Sequence, residues 1–180
     1  RTFYRFLVRH GFVAGSPIKN IALPKLAKRL PKHLTVRQML DLLEAPLKFF
    51  LKDENKKKRG RPVEASVCCR DVAILETVYS CGLRISELCG LLASDIDWGE
   101  QLVRVRGKGK KERLIPVGQP ALKAIENYWR LLPQPPSGNA AVFLASEKSF
   151  QPIAPRILQL RLKKYLAIAG LDPTLTPHKL

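Results

Sequence analysis

The apolar positions of the chain recur mostly every three or four residues, which is the spacing of amphipathic helices. A first helix is predicted within residues 1–12 and ends near Gly11. A second begins at Thr35, a suitable N-cap residue, and runs through VRQMLDLLEA to just before Pro46. Further amphipathic stretches follow at RDVAILETVYSC from about Cys69, at RISELCGLL beyond Gly82, at QPALKAIENYWRLL and at residues 155–169.

One segment departs from helical spacing. In QLVRVRGKGKKERLIPV, apolar residues alternate or cluster on each side of GKGKK, which predicts a β-hairpin. Because strand side chains alternate between faces, Val103 and Val105 share one face, whereas Arg104 and Arg106 share the other. The chain is therefore predicted to be mainly α-helical with a small antiparallel β-sheet or hairpin, an α+β fold.

Two segments lack apolar periodicity and are basic. Residues 15–34 contain three prolines and have the composition of a linker. This linker is either a solvated connector or a segment that lies along a phosphate backbone through Lys25, Lys28 and Arg29. The KKKRGR run at residues 56–61 predicts an exposed, mobile loop; a solvated charge run is the simpler interpretation, and auxiliary DNA contact is the alternative.

The charge balance indicates a polyanionic partner. Lys and Arg number 32 against 15 Asp and Glu, a formal net charge of +17. Such an excess is typical of nucleic-acid-binding domains, with an anionic membrane surface or a merely basic protein as alternatives. No apolar run reaches the length of a membrane span. We therefore expect a cytoplasmic, nucleoid-associated protein with no membrane partner.

The cysteines and histidines do not form a metal-binding pattern. Cys68, Cys69, Cys81 and Cys89 contain no C-x-x-C pair, and the three histidines are scattered. We expect reduced, mostly buried thiols and no metal site.

The hairpin carries the densest group of candidate DNA-binding residues. Six cations fall within ten residues, namely Arg104, Arg106, Lys108, Lys110, Lys111 and Arg113. Gly107 and Gly109 flank Lys108, so its ammonium can approach a substrate closely. A cationic ribbon of this kind suits a groove and its phosphates, although an ordinary charged hairpin has the same composition.

Arg84 lies among apolar residues in YSCGLRISELCGLL, with Glu87 one helical turn later. A guanidinium fork can bind two phosphate oxygens, and Glu87 can hold that fork from the same helical face. An ordinary i, i+3 ion pair is the alternative.

The 155–169 helix carries four basic residues that are either candidate DNA contacts or a solvated face: Arg156, Arg161, Lys163 and Lys164. His178 in TPHKL is a candidate donor to a phosphoryl oxygen or a structural histidine.

Read together, these motifs resemble the tyrosine site-specific recombinases, the Xer type most closely. CGLRISELCGL is similar to the family's first arginine motif, VRVRGKGKKERLIPV to its catalytic-lysine hairpin, and TPHKL to the opening of its H-x-L-R-H box. The resemblance implies that residues 1–14 end a DNA-clamping, core-binding domain, that 15–34 is the interdomain linker, and that 35–180 is a catalytic domain. It also implies that the family's second arginine and nucleophilic tyrosine lie beyond Leu180, so that this segment alone is inactive.

The resemblance implies type IB strand exchange on double-stranded DNA through a 3′-phosphotyrosine, without a metal or nucleotide cofactor, in a homo- or heterotetramer. Arg84 would clamp the phosphate, Glu87 would support it, Lys108 would protonate the leaving 5′-oxygen, and His178 would assist. Two alternatives stay open: a non-cleaving DNA-binding module of the same fold, and a type IB topoisomerase. A membrane-surface or ribosomal protein is a more distant alternative, because neither class needs the Arg84 and Lys108 motifs together.

Overall fold

The structure is a computed structural model that describes residues 1–22, 34–54, 64–107 and 112–175. It divides the chain into two compact units, residues 1–31 and 32–180. In the first unit, helix α1 (Thr2–Arg9) occupies the predicted position and has exposed aromatic side chains, Phe3 among them. The assignment of residues 1–14 to a core-binding domain stays a prediction.

Helix α3 is the centre of the second unit. It packs against α2 and α5, and α2 also packs against α6. The helices are α2 (Val36–Glu54), α3 (Ala65–Cys81), α4 (Ile85–Cys89), α5 (Gln119–Arg130) and α6 (Pro155–Ile168). One apolar cluster joins α3, α4, α5 and the strands, and a second joins α2 and α6 through Leu75 of α3. The mainly helical prediction is confirmed.

The predicted hairpin is present and belongs to a three-stranded antiparallel sheet in the order β1-β2-β3. Its strands are β1 (Ile96–Asp97), β2 (Leu102–Arg106) and β3 (Glu112–Pro116). Val105 pairs with Arg113 and Val103 with Ile115. The predicted tip at residues 108–111 lies outside the described residues. A second hairpin, β4 (Leu144–Ser146) with β5 (Ser149–Pro152), was not predicted.

The second helix is longer than the sequence predicted. Its start is as expected, since the Gln38 N–H donates to Thr35 Oγ1 at 3.3 Å and the Thr35 N–H donates to Gln38 Oε1 at 2.9 Å. The predicted end before Pro46 is wrong, because α2 continues to Glu54. Pro46 is almost fully buried beside Leu42, so core packing outweighs the hydrogen bond that proline cannot donate.

The four cysteines, all within the described residues, form no disulfide, and they are mostly buried as expected. Cys68, Cys81 and Cys89 are buried and Cys69 is half-buried. Burial raises the pKa of both Cys68 and Cys89 to about 11, so these thiols are neutral at physiological pH. They behave as small apolar core residues rather than as nucleophiles.

Candidate active site

The backbone around Arg84 places that side chain at the surface. Helix α3 ends at Gly82, which adopts the left-handed conformation with a φ of 59° and donates its N–H to the Val78 carbonyl at 2.8 Å. Leu83 is then buried, and Arg84 takes the extended N-cap position of α4. The core anchors residue 83, and the Arg84 side chain is 64% exposed.

Glu87 joins Arg84 to the hairpin. Its side chain is only 5% exposed, and its carboxylate accepts four hydrogen bonds. Oε1 accepts from Nη1 of Arg84 and from Nη1 of Arg113, both at 3.0 Å. Oε2 accepts from the Arg84 backbone N–H and from Nη2 of Arg113, both at 2.9 Å. One buried carboxylate thus fixes two arginines that are 29 positions apart in the chain.

These contacts keep Glu87 ionised. Hydrogen bonds from Arg113 lower the pKa of Glu87 to about 2 against the opposing effect of burial, and hydrogen bonds from Arg84 add to the lowering. At neutral pH the cluster therefore holds one negative and two positive charges. The excess positive charge favours an incoming anion.

The Arg84 guanidinium is held at one nitrogen and open elsewhere. Within the described ranges its contacts use Nη1, whereas Nε and Nη2 have no protein partner. A planar fork fixed in this way can offer two parallel N–H donors to phosphate oxygens. Sequence reasoning proposed both Arg84 and Glu87, and the structure brings them together.

A second buried carboxylate, Asp95, organises the arginines of β2. It ends a single 3-10 turn, Ala93–Asp95, and its side chain is 3% exposed. Oδ1 lies 2.8 Å from Nη2 of Arg106 and 3.8 Å from Nε of Arg104. Oδ2 accepts hydrogen bonds from the Leu92 N–H at 3.1 Å and from Nη1 of Arg106 at 3.2 Å. Both arginines remain nearly half-exposed.

The two carboxylate centres are neighbours. Glu87 and Asp95 line the same small pocket of about 60 Å³, together with Arg104 and Arg106. A wider cleft of about 600 Å³ also adjoins the sheet, and it is lined partly by Arg104 and Arg113. The chain thus presents a concave, arginine-rich surface in which buried acids fix the cations.

Arg161, whose DNA contact stays a prediction, takes part in a polar network between α3 and α6. Its Nη1 is 2.5 Å from Oδ2 of Asp71, and the Tyr165 hydroxyl donates to the same oxygen. Oδ1 of Asp71 accepts from Nε of Arg70 at 3.2 Å. The Arg70 Nη1 donates at 2.8 and 2.9 Å to the carbonyls of Leu144 and Ala145. This arrangement indicates a structural role for Arg161.

The other predicted residues fall into two groups. Arg156 and Lys163 are exposed on α6, whereas the Lys164 ammonium lies 3.4 Å from the centre of the Phe49 ring. DNA contact by any of these residues stays a prediction. Seven further candidates lie outside the described residues: Lys25, Lys28, Arg29, Lys108, Lys110, Lys111 and His178.

Sequence reasoning missed the roles of three residues. Asp95 and Asp71 carried no motif, because their importance comes from partners distant in the chain. Arg113 was grouped with the other hairpin cations, yet its pairing with Val105 puts it on the sheet face opposite Arg104. The pattern of β3 gives no clear signal, because Leu114 and Ile115 are adjacent apolar residues on opposite faces of the strand.

The described part of the chain lacks two features, a metal-binding cluster and a membrane-spanning helix. There, no group of three or more His, Cys, Asp or Glu side chains is placed to hold a metal ion. None of the helices in the same ranges has both the length and the apolar character needed to cross a membrane.

Residues 34–180 match the model of the phage integrase family, and the chain belongs to that family. Over its whole length it is 38% identical to tyrosine recombinase XerC of Alcanivorax borkumensis and 36% identical to tyrosine recombinase XerD of Proteus mirabilis. It covers 54% and 53% of those proteins, so it spans about half the length of the curated relatives it matches. The resemblance to Xer-type tyrosine recombinases is confirmed.

Solved structures establish the fold. A XerH site-specific recombinase bound to palindromic difH substrate in a post-cleavage complex matches with a TM-score of 0.66 at 19% identity. That match covers 90% of this chain and 44% of the XerH chain. A lambda integrase tetramer bound to a Holliday junction matches with a TM-score of 0.62 at 15% identity, over 94% of this chain and 43% of the integrase chain. The fold is that of tyrosine recombinases, as predicted.

Proposed function

We propose that the full-length protein is a site-specific recombinase that cleaves and rejoins double-stranded DNA through a 3′-phosphotyrosine intermediate. The observation that carries this proposal is the Arg84 guanidinium, which the Glu87 carboxylate holds at Nη1 while the side chain as a whole stays 64% exposed. Membership of the phage integrase family and the names of its tyrosine recombinase relatives support the same reaction class.

In the proposed reaction a tyrosine oxygen attacks the scissile phosphorus, and the bond from phosphorus to the 5′-oxygen breaks. Negative charge then grows on the non-bridging oxygens, where Arg84 donates hydrogen bonds. Lys108 protonates the departing 5′-oxygen, and His178 donates to a non-bridging oxygen or assists the tyrosine. The roles of Lys108 and His178 rest on the motif resemblance. We place the second arginine and the nucleophile beyond Leu180, so this segment alone is expected to be inactive.

DNA binding in this proposal relies on exposed cations of the sheet and of α6. Arg104 and Arg106 are held by Asp95 with nearly half of each side chain exposed, and Arg156 and Lys163 are exposed on α6. The net charge of +17 supports a polyanionic partner. The lambda integrase structure is a tetramer, and we propose a homo- or heterotetramer on DNA here, associated with the nucleoid.

The test is the polarity of the covalent linkage. The full-length protein is incubated with fragmented genomic DNA of its source, covalent complexes are captured under denaturing conditions, and their sequences define a nicked synthetic duplex. With that duplex, we expect a 5′-labelled strand to become attached to protein and a 3′-labelled fragment to be released with a 5′-hydroxyl. Binding without any covalent complex would indicate a non-cleaving module. Relaxation of supercoiled plasmid without a preferred site would indicate a topoisomerase.

A further inference from the structure

The Arg113 side chain lies on the opposite face of the sheet from the side chains of Arg104 and Arg106. Strand β2 alternates between buried and exposed residues, with Val103 and Val105 buried and Arg104 exposed. Arg113 lies opposite Val105 in the antiparallel register, so it shares the inward side of the sheet. The Arg113 side chain is 42% exposed, and its guanidinium reaches Glu87 of α4 from this side of the sheet.

The contact between Arg113 and Glu87 is bidentate. Nη1 and Nη2 of Arg113 donate to Oε1 and Oε2 of Glu87 at 3.0 and 2.9 Å. The two terminal nitrogens of Arg113 therefore point at the carboxylate rather than at the outer face of the sheet. Each of these two Glu87 oxygens also accepts a hydrogen bond from Arg84: Oε1 from the side chain and Oε2 from the backbone N–H.

We propose that Arg113 is a positioning residue for strand cleavage, which holds Glu87 so that Glu87 can orient the Arg84 guanidinium. The inference rests on the proposed function, because it assigns Arg113 to the same site. It replaces the direct DNA contact that the hairpin composition suggested for this residue. Arg113 also ties β3 to α4, the helix whose N-cap is Arg84.

The geometry requires arginine at this position. A guanidinium places two N–H donors side by side at the spacing of two carboxylate oxygens, whereas a lysine ammonium is a single point of charge. Without Arg113, the hydrogen bonds that Glu87 keeps within the described residues are those with Arg84. The Glu87 side chain can then adopt more than one orientation. Catalytic donors lose effect when their geometry loosens by a fraction of an ångström.

The experiment compares Arg113→Gln and Arg113→Lys with wild type in the full-length protein, using the nicked duplex defined above. The rate of covalent adduct formation at saturating DNA measures positioning, and the slope of log K against log salt measures phosphate contacts. We expect both variants to form adduct about 10- to 100-fold more slowly. We expect an unchanged salt slope, because a lost phosphate contact would reduce the slope by about 0.9.

A double variant tests whether Arg113 changes the rate of adduct formation through Glu87. If Arg113 acts through Glu87, then Arg113→Gln combined with Glu87→Gln should be no slower than Glu87→Gln alone. The matched control is Arg130→Gln, which breaks the exposed Arg130–Glu126 pair of 2.6 Å on α5 and should leave rate and slope unchanged. Thermal unfolding of each variant shows whether it is folded at the assay temperature; Arg113→Lys retains the charge if Arg113→Gln does not fold.

Several outcomes would overturn the inference. These are adduct formation at the wild-type rate in Arg113→Gln, restoration of that rate in Arg113→Lys, a reduced salt slope in either variant, or additive losses in the double variant. Failure of the wild-type protein to form any adduct would refute the proposed function instead. The two failures are therefore distinguishable.

Discussion

Glu87 shows how a buried acid can serve a cationic site. An ionised carboxylate removed from water is costly unless hydrogen bonds replace its hydration. Here four donors from Arg84 and Arg113 provide them, and the side chain is 5% exposed. The same bonds restrict both guanidinium groups. The donors of Arg84 that remain are thus preorganised for an anion, the condition under which electrostatic catalysis is most effective.

The depressed pKa of Glu87 predicts a defined pH dependence of stability. Because folding lowers this pKa from 4.5 to about 2, its contribution is complete above pH 4.5 and is lost as the pH falls through about 2. We expect wild type to lose about 2 kcal/mol more than Glu87→Gln between pH 5 and pH 2. Urea unfolding followed by tryptophan fluorescence at each pH measures this difference.

The control for that prediction is Glu126→Gln, which removes an acid that is 51% exposed. Its stability should follow the wild-type pH curve, because exposed ion pairs contribute little. Parallel curves for wild type and Glu87→Gln would show that Glu87 is not selectively stabilised as an anion.

At the residue scale, the sequence predicted the pairing of Arg84 with Glu87 because one helical turn separates them. It did not predict Arg113 as the second partner. Residues 87 and 113 meet only after the hairpin has packed against α4, and composition does not report that contact. The face of Arg113 follows from the register of β3 against β2, which pairs it with the buried Val105.

Among the elements, α3 and α6 are joined by charge as well as by apolar packing. The Asp71 side chain of α3 is 2% exposed, and its carboxylate accepts hydrogen bonds from Arg70, Arg161 and the Tyr165 hydroxyl. Arg70 extends the network to two carbonyls of β4. Burial and the neighbouring Asp71 raise the pKa of Tyr165, so its phenol stays protonated as a structural donor.

This network predicts a large effect of Asp71→Asn on folding. The substitution leaves Arg70 and Arg161 without their counter-charge, and breaking a buried pair in this way costs about 3–5 kcal/mol. Glu126→Gln is the exposed counterpart and should cost about 1 kcal/mol or less. Urea unfolding monitored through Trp98 and Trp129 measures both. Equal destabilisation by the two variants would contradict a structural role for Asp71.

The predictability of each element followed the strength of its local signal. The β2–β3 hairpin alternates and brackets a glycine-rich turn, so its strands were predicted. The β4–β5 hairpin was not, because AVFLA is a continuous apolar run without alternation. Helix α2 continues beyond Pro46 because the burial of its apolar face against α3 and α6 outweighs the helix-breaking effect of that proline. Tertiary packing thus decided the length of α2.

At the scale of the whole molecule, cations are held in place by a few buried acids. The charge of +17 alone predicts only a polyanionic partner. The structure adds that Glu87 and Asp95, which line one pocket, fix the exposed arginines beside it. Fixed cations around a concave surface suit recognition of phosphates in a defined geometry, which a cleaving enzyme needs and a general polyanion binder does not.

The most direct test of this account is adduct formation by Arg84→Ala in the full-length protein on the nicked duplex. The variant should bind that duplex with nearly wild-type affinity, because the proposal assigns phosphate contacts to many other cations. Its adduct should form about 10²- to 10³-fold more slowly, since one fixed donor to the transition state is lost. Arg84→Lys, which keeps the charge without the fork, should also be impaired. Adduct formation by Arg84→Ala at the wild-type rate would contradict the account.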